Sequence, residues 1–261
     1  MFEKTESVTT PTAVKSFAST LGQALKTRVE GLFDTSRPEG PAFLAATAGT
    51  EVAKAAQFGV LEKLCKPLIV PSALALALRD GELTAADAAM LSATGAAYTT
   101  GDVILMFGGG HASRSTGRLA AGAAAFGAGH LVLSGLMLRS GSRFKPLQSA
   151  VHGVVAGGAG AVLLSEGKEN APLAAYGGLL ATLSALATSV DRSHGPAASV
   201  LAVAGPAFLL SDFLILLRRQ AEGGSFRARA LDVGVIDTYA TAALLMLTGP
   251  GAGARSPGRG R

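Results

Sequence analysis

Two apolar stretches, residues 99–106 (TTGDVILM) and residues 209–216 (LLSDFLIL), each contain a single acidic residue that follows a small residue. These acidic residues, Asp102 and Asp212, lie 110 positions apart, from residue 102 to residue 212. A carboxylate inside a membrane-length apolar run is costly unless it faces a polar cavity, so such a residue is a candidate functional site. Asp102 and Asp212 are therefore the first candidates for chemistry.

The composition favours a membrane protein. The chain is 49% hydrophobic and 16% charged, whereas soluble proteins average about 25% charged residues. Apolar blocks close to the roughly 20 residues that cross a bilayer alternate with short polar breaks. The predicted fold class is therefore an all-α polytopic membrane protein with eight transmembrane helices. Their expected limits are 41–60, 65–79, 84–107, 118–138, 146–165, 172–189, 197–217 and 230–248.

The alternative is a soluble, alanine-rich helical bundle, whose helices would carry a polar stripe with helical period. Residues 119–138 show almost no such stripe, since His130 is the only strongly polar residue among them. The sequence therefore favours the membrane fold.

The two ends of the chain differ from the membrane domain of residues 41–248. Residues 1–40 are basic but lack the apolar core of a signal peptide. Their apolar residues recur at three- and four-residue steps, which predicts either an amphipathic helix on the membrane surface or an ordinary solvated helix. Residues 249–261 are rich in Gly, Pro and Arg, and we expect this basic tail to be disordered.

The two aspartates indicate an internal repeat. Because blocks three and seven are separated by an even number of crossings, Asp102 and Asp212 should lie at similar depth, toward the same membrane face. His130 follows Asp102 by 28 positions, and Tyr239 follows Asp212 by 27. The sequence therefore predicts two parallel four-helix repeats, each with an Asp and a proton-handling aromatic residue. Lys66, Asp232 and Asp237 are expected on the same face, where a cation beside carboxylates suits a substrate with a phosphate group.

Each candidate also has a structural interpretation. The aspartates would pair with Lys or Arg across helices, His130 would bond a neighbouring helix, Tyr239 would pack, and Lys66 would extend to the interface as a span-end anchor. The other histidines lack metal-ligand spacing, and the single cysteine excludes a cysteine metal cluster and an intrachain disulfide. Basic residues scattered at span ends, without an aromatic platform, give no support for nucleic-acid binding.

Five short motifs occur in an order and spacing typical of one family. They are Lys66-Pro67-Leu68, residues 101–105 (GDVIL), Gly129-His130-Leu131, Ser211-Asp212 and Tyr239. Over residues 41–248 the chain resembles the YhhN family of integral membrane proteins, the lysoplasmalogenases. Leu133 and Ala243 depart from the family pattern, which often has Tyr and usually Gln at these positions.

The resemblance implies hydrolysis of the vinyl ether bond of lysoplasmalogens, with Asp102 and Asp212 catalytic and a lysophospholipid and membrane lipids as partners. This chemistry needs one protonated carboxyl group and one carboxylate, and no metal or organic cofactor. Lys66, His130 and Tyr239 are expected to bind the substrate. Two other functions remain open, a proton-coupled transporter of small solutes or lipids and a non-catalytic scaffold. The expected location is the cell membrane, a bacterial inner membrane, with basic loop residues slightly favouring cytoplasmic termini.

Overall fold

The structure is a computed structural model that describes residues 11–80, 83–106, 116–190 and 196–250. This part of the chain consists of nine α-helices and one short 3-10 turn, Lys168–Asn170, and contains no strand. The helices are α1 Pro11–Leu32, α2 Glu39–Ala56, α3 Gly59–Asp80, α4 Ala85–Met106, α5 Thr116–Arg139, α6 Pro146–Glu166, α7 Ala171–Thr188, α8 Pro196–Arg219 and α9 Phe226–Thr248.

Helices α2–α9 correspond to the eight predicted blocks, and the largest difference in limits is at the α2–α3 junction. The sequence predicted a second block from residue 65, but α3 begins at Gly59. Gln57, in the left-handed conformation with φ 57°, ends α2. The ammonium group of Lys54 lies 2.6 Å from the Glu62 carboxylate, and this ion pair lets the polar start of α3 pack beside the end of α2.

Within the described part of the chain, five helical segments are long and apolar enough to cross a membrane: Gly117–Arg139, Pro146–Glu166, Lys168–Thr188, Ser199–Arg219 and Phe226–Thr248. Ion pairs connect the preceding helices α2–α4. Arg79 of α3 binds Glu39 of α2 at 2.9 Å, and Lys66 of α3 binds Asp102 of α4 at 3.2 Å. The all-helical fold is therefore that of a multi-pass membrane protein.

The two four-helix halves, α2–α5 and α6–α9, share contacts at the 110-residue offset. Gly95 of α4 approaches Leu74 of α3, and a Cβ atom built on Gly95 would lie 2.8 Å from that side chain. Gly205 of α8 approaches Ser184 of α7 in the same way, with a built Cβ atom 2.6 Å from its hydroxyl oxygen. In addition, α3 packs against α9 and α7 packs against α5. These contacts are equivalent, because α3 corresponds to α7 and α9 corresponds to α5 in the two halves.

The outer helices break this symmetry. α2 packs against α9, whereas α6 packs mainly against α7 and exposes apolar side chains such as Leu147 and Val154. Within the predicted N-terminal segment, α1 packs against α8 and α2, and the Arg28 guanidinium donates to the Thr248 hydroxyl at 3.2 Å. The α1 helix thus adds to one side of the bundle near the end of α9. In the predicted tail, residues 251–261 lie outside the described residues.

The topology predicts the sidedness of the loops. In the eight-span topology predicted from the sequence the chain returns to its starting side, so single cysteines at Ser36 and Pro250, in a Cys65→Ala background, should react with an impermeant thiol reagent from the same side. A cysteine at Gly223, between α8 and α9, should react only from the opposite side. Labelling of all three positions from one side would contradict the topology, as would recovery of the protein in the soluble fraction after alkaline carbonate extraction.

Candidate functional site

The first part of the site surrounds Asp102, near the C-terminal end of α4. Its side chain is buried, with 2% of the residue exposed. The Lys66 ammonium of α3 lies 3.2 Å from one carboxylate oxygen, and the Tyr239 hydroxyl of α9 donates to the other at 2.5 Å. Asp102 is therefore an ion-paired and hydrogen-bonded carboxylate held between three helices, an arrangement that compensates for its removal from water.

The second part surrounds Asp212, near the C-terminal end of α8. The Asp212 side chain is only partly buried. Its hydrogen-bond partner is the hydroxyl group of Tyr176, on the first turns of α7. The Tyr176 hydroxyl oxygen also lies 3.3 Å from Nε2 of His130, whose Nδ1 is 2.8 Å from the Tyr98 hydroxyl oxygen. Asp212, Tyr176, His130 and Tyr98 thus form one hydrogen-bonded chain.

Aromatic rings join the two parts into one layer. The Phe208 ring of α8 contacts the His130 ring, with centroids 4.9 Å apart, and the Tyr239 ring at 5.7 Å. Tyr98 packs against the same Phe208 ring at 5.6 Å. Since Tyr239 binds Asp102 while His130 connects to Asp212, the Phe208 ring lies between the partners of the two carboxyl groups.

A small residue before each aspartate allows the next helix to approach. A Cβ atom added to Gly101 would lie 2.6 Å from the Phe126 ring of α5. The residue before Asp212 is Ser211, which is buried, and its hydroxyl donates to the Val235 carbonyl of α9 at 3.1 Å. The "small residue, then Asp" pattern therefore positions each carboxyl group at a close contact between consecutive helices, α4–α5 or α8–α9.

The three predicted binding residues all connect to an aspartate. Lys66 and Tyr239 both bind Asp102, whereas His130 reaches Asp212 through Tyr176. Sequence reasoning missed Tyr98 and Tyr176. The only available signal was the rarity of tyrosine, since the chain has three tyrosines. The structure brings all three into this layer.

The other predicted groups have separate partners. Asp232, predicted on the face of Lys66, pairs with the buried Arg218 at 2.9 Å. Nδ1 of His152 lies 2.7 Å from the Gln148 carbonyl oxygen, and His111 and His194 fall outside the described residues. Among the described residues, no group of three or more His, Cys, Asp or Glu side chains is arranged to hold a metal ion.

The fold and this layer define a class of protein, a polytopic helical membrane protein with two carboxyl groups in repeat-related positions within its membrane domain. Residues 61–249 match the YhhN family, and the chain belongs to that family. This confirms the resemblance seen in the motifs. Neither a curated protein nor a solved structure matches the chain.

The glycine before His130 is predicted to be essential for the hydrogen-bonded chain. A Cβ atom on Gly129 would overlap the Tyr98 ring, so Gly129→Ala should displace Tyr98 from His130 and lower stability by about 1–3 kcal/mol, as overpacking does. Thermal unfolding in detergent measures this loss. Gly135→Ala on the same helix is the control, because its added Cβ would lie 3.4 Å from Met90, near ordinary contact distance. Equal melting temperatures for the two variants would contradict the packing argument.

Proposed function

We propose that this protein hydrolyses the vinyl ether bond of lysoplasmalogens, releasing a fatty aldehyde and a glycerophospho-alcohol. Membership of the YhhN family supports this function. The observation that carries it is the pair of repeat-related carboxyl groups, each bound by side chains of neighbouring helices. Lys66 and Tyr239 bind Asp102, and Tyr176 binds Asp212. The proposed location is the cell membrane, where the lipid substrate resides.

The chemistry of a vinyl ether matches two carboxyl groups in different protonation states. A general acid protonates the outer carbon of the double bond, which is the one not bonded to the ether oxygen. The ether oxygen stabilises the oxocarbenium ion that results. A nearby carboxylate stabilises this cation and takes a proton from the attacking water. The hemiacetal then breaks down to the aldehyde and the alcohol. Asp102 and Asp212 supply the acid and the carboxylate in this proposal.

The site lies at the end of the bundle formed by the start of α3, the end of α4, the end of α8 and the start of α9, where a lipid headgroup would meet water. Exposed arginines at this end, Arg219, Arg227 and Arg229, are suited to binding the phosphate. Lys66 was expected to bind the phosphate as well, but its ion pair with Asp102 favours a role in balancing the charge of that carboxylate. The single hydrocarbon chain of the substrate would then lie between the Ala- and Gly-rich helices.

Replacement of either aspartate by asparagine is expected to reduce aldehyde release by about 10²- to 10⁴-fold, the contribution of a positioned general acid or base. Asparagine keeps the volume and hydrogen-bonding capacity but cannot transfer the proton or carry the charge. Aldehyde release from a lysoplasmalogen by purified Asp102→Asn and Asp212→Asn measures the effect. The double variant should be little worse than either single variant, because the two groups act as a unit.

Asp87→Asn is the matched control on α4. Asp87 bonds Thr84 and lies 3.6 Å from Arg139 at the other end of the bundle, so this variant should keep full activity. Turnover retained by both Asp102→Asn and Asp212→Asn, with normal elution from size-exclusion chromatography, would contradict the two-carboxylate mechanism.

A second candidate function is proton-coupled transport of a small solute or lipid. It is favoured by the hydrogen-bonded chain from Asp212 through Tyr176 and His130 to Tyr98, since such chains also serve as proton relays in transporters. Uptake into proteoliposomes that depends on a pH gradient, without aldehyde release from lysoplasmalogen in detergent, would favour the transporter. Aldehyde release without any gradient would favour the hydrolase.

A further inference from the structure

The two halves of the site differ at one pair of equivalent positions. Lys66 and Tyr176 are 110 positions apart, the same offset as Asp102 and Asp212. Each side chain binds the aspartate of its own half, but Lys66 gives Asp102 a cation at 3.2 Å, whereas Tyr176 gives Asp212 a neutral hydroxyl group. A symmetric scaffold thus presents its two carboxyl groups in environments of different charge.

We infer that Asp212 is the proton donor of the site and that Asp102 is its ionised partner. This assignment rests on the proposed hydrolysis. A carboxylate held away from water is stable only beside a compensating charge, which Lys66 supplies to Asp102. Asp212 faces a neutral hydroxyl group, that of Tyr176, instead of a cation, so it holds a proton more readily than Asp102 does.

Several charged groups on the helices around α8 have partners other than Asp212. Arg218 and Asp232 pair with each other, and Lys26 of α1 pairs with Glu30. Arg28 of α1 binds Thr248 at the opposite end of α9. The groups that face Asp212 from α7, and beyond it from α5 and α4, are Tyr176, His130 and Tyr98.

A protonated Asp212 is compatible with this chain in one donor order. The carboxylic acid donates to the Tyr176 hydroxyl oxygen, and the Tyr176 hydroxyl donates to Nε2 of His130, 3.3 Å away. A neutral His130 then carries its proton on Nδ1 and donates it to the Tyr98 hydroxyl oxygen at 2.8 Å. Tyr176 is therefore a positioning residue, which holds the acid in place and is oriented in turn by His130.

With this assignment both aspartates return to their starting protonation states after each turnover. Asp212 gives its proton to the outer vinyl carbon, and the electron pair of the double bond forms the new C–H bond. Water adds to the oxocarbenium carbon and gives a proton to Asp102. As the hemiacetal breaks, its hydroxyl proton returns to Asp212, and the departing glycerol oxygen takes the proton from Asp102. Both aspartates regain their starting states, and one water is consumed per bond.

The pH–rate profile tests the assignment. A bell-shaped profile is expected, with an acidic limb set by Asp102, which must be ionised, and an alkaline limb set by Asp212, which must be protonated. Lys66→Met removes the cation and favours protonation of Asp102, so the acidic limb should move up by about 1–3 pH units, as expected for loss of an adjacent opposite charge. If Asp102 is instead the acid, the alkaline limb moves up and the acidic limb stays fixed, which overturns the assignment.

Lys54→Met is the matched control at the same end of the bundle. It removes a lysine whose ion pair is with Glu62, so both limbs should stay in place. Lys66→Arg should retain the cation and keep the acidic limb close to that of the unmodified protein.

Infrared difference spectroscopy tests protonation without turnover. At neutral pH the protein should show the C=O stretching band of a protonated carboxyl group, lost in Asp212→Asn and retained in Asp102→Asn. The opposite pattern, or no such band in the unmodified protein, overturns the assignment even if Lys66→Met does not fold. Failure of the proposed function is distinguishable, because the unmodified protein would then release no aldehyde while the band still reports which aspartate holds the proton.

Discussion

The ion pair between Lys66 and Asp102 is the interaction on which the arrangement of the site depends. Both side chains lie inside a helical bundle, with separations of 3.2 Å between ammonium and carboxylate and 2.5 Å between that carboxylate and the Tyr239 hydroxyl. Removing one partner of such a pair leaves an uncompensated charge, which typically costs about 3–5 kcal/mol. These contacts therefore connect α3, α4 and α9 and fix the carboxylate at a defined depth.

Close approach of helices makes these contacts possible. Gly95 and Gly205 bring α4 against α3 and α8 against α7, and Gly101 brings α4 against α5. Small residues serve this purpose in membrane helices, where lipid is as apolar as the side chains and packing must drive association. The repeat thus supplies a similar scaffold in both halves, and the exchange of Lys66 for Tyr176 gives its two carboxyl groups neighbours of different charge.

Much of the fold was predictable from hydrophobic blocks, because bilayer thickness fixes the length of a spanning helix. The start of α3 was not, since its polar first turns are neutralised by Lys54 and Glu62 across a junction that sequence does not reveal. Asp102 was identified because an acidic residue in an apolar run is rare. Tyr176 was missed because a tyrosine in an apolar helix is usually a packing residue, and the sequence does not show its contact with Asp212.

The central claim, cleavage initiated by protonation of carbon, is tested most directly by hydrolysis in deuterium oxide. The purified protein should release an aldehyde with one deuterium, in a single configuration, on the carbon next to the carbonyl group. Reduction of the aldehyde as it forms would preserve this label for mass spectrometry and chiral analysis. An aldehyde without deuterium at that carbon, or with deuterium in equal amounts of both configurations, would contradict proton delivery from a positioned aspartic acid.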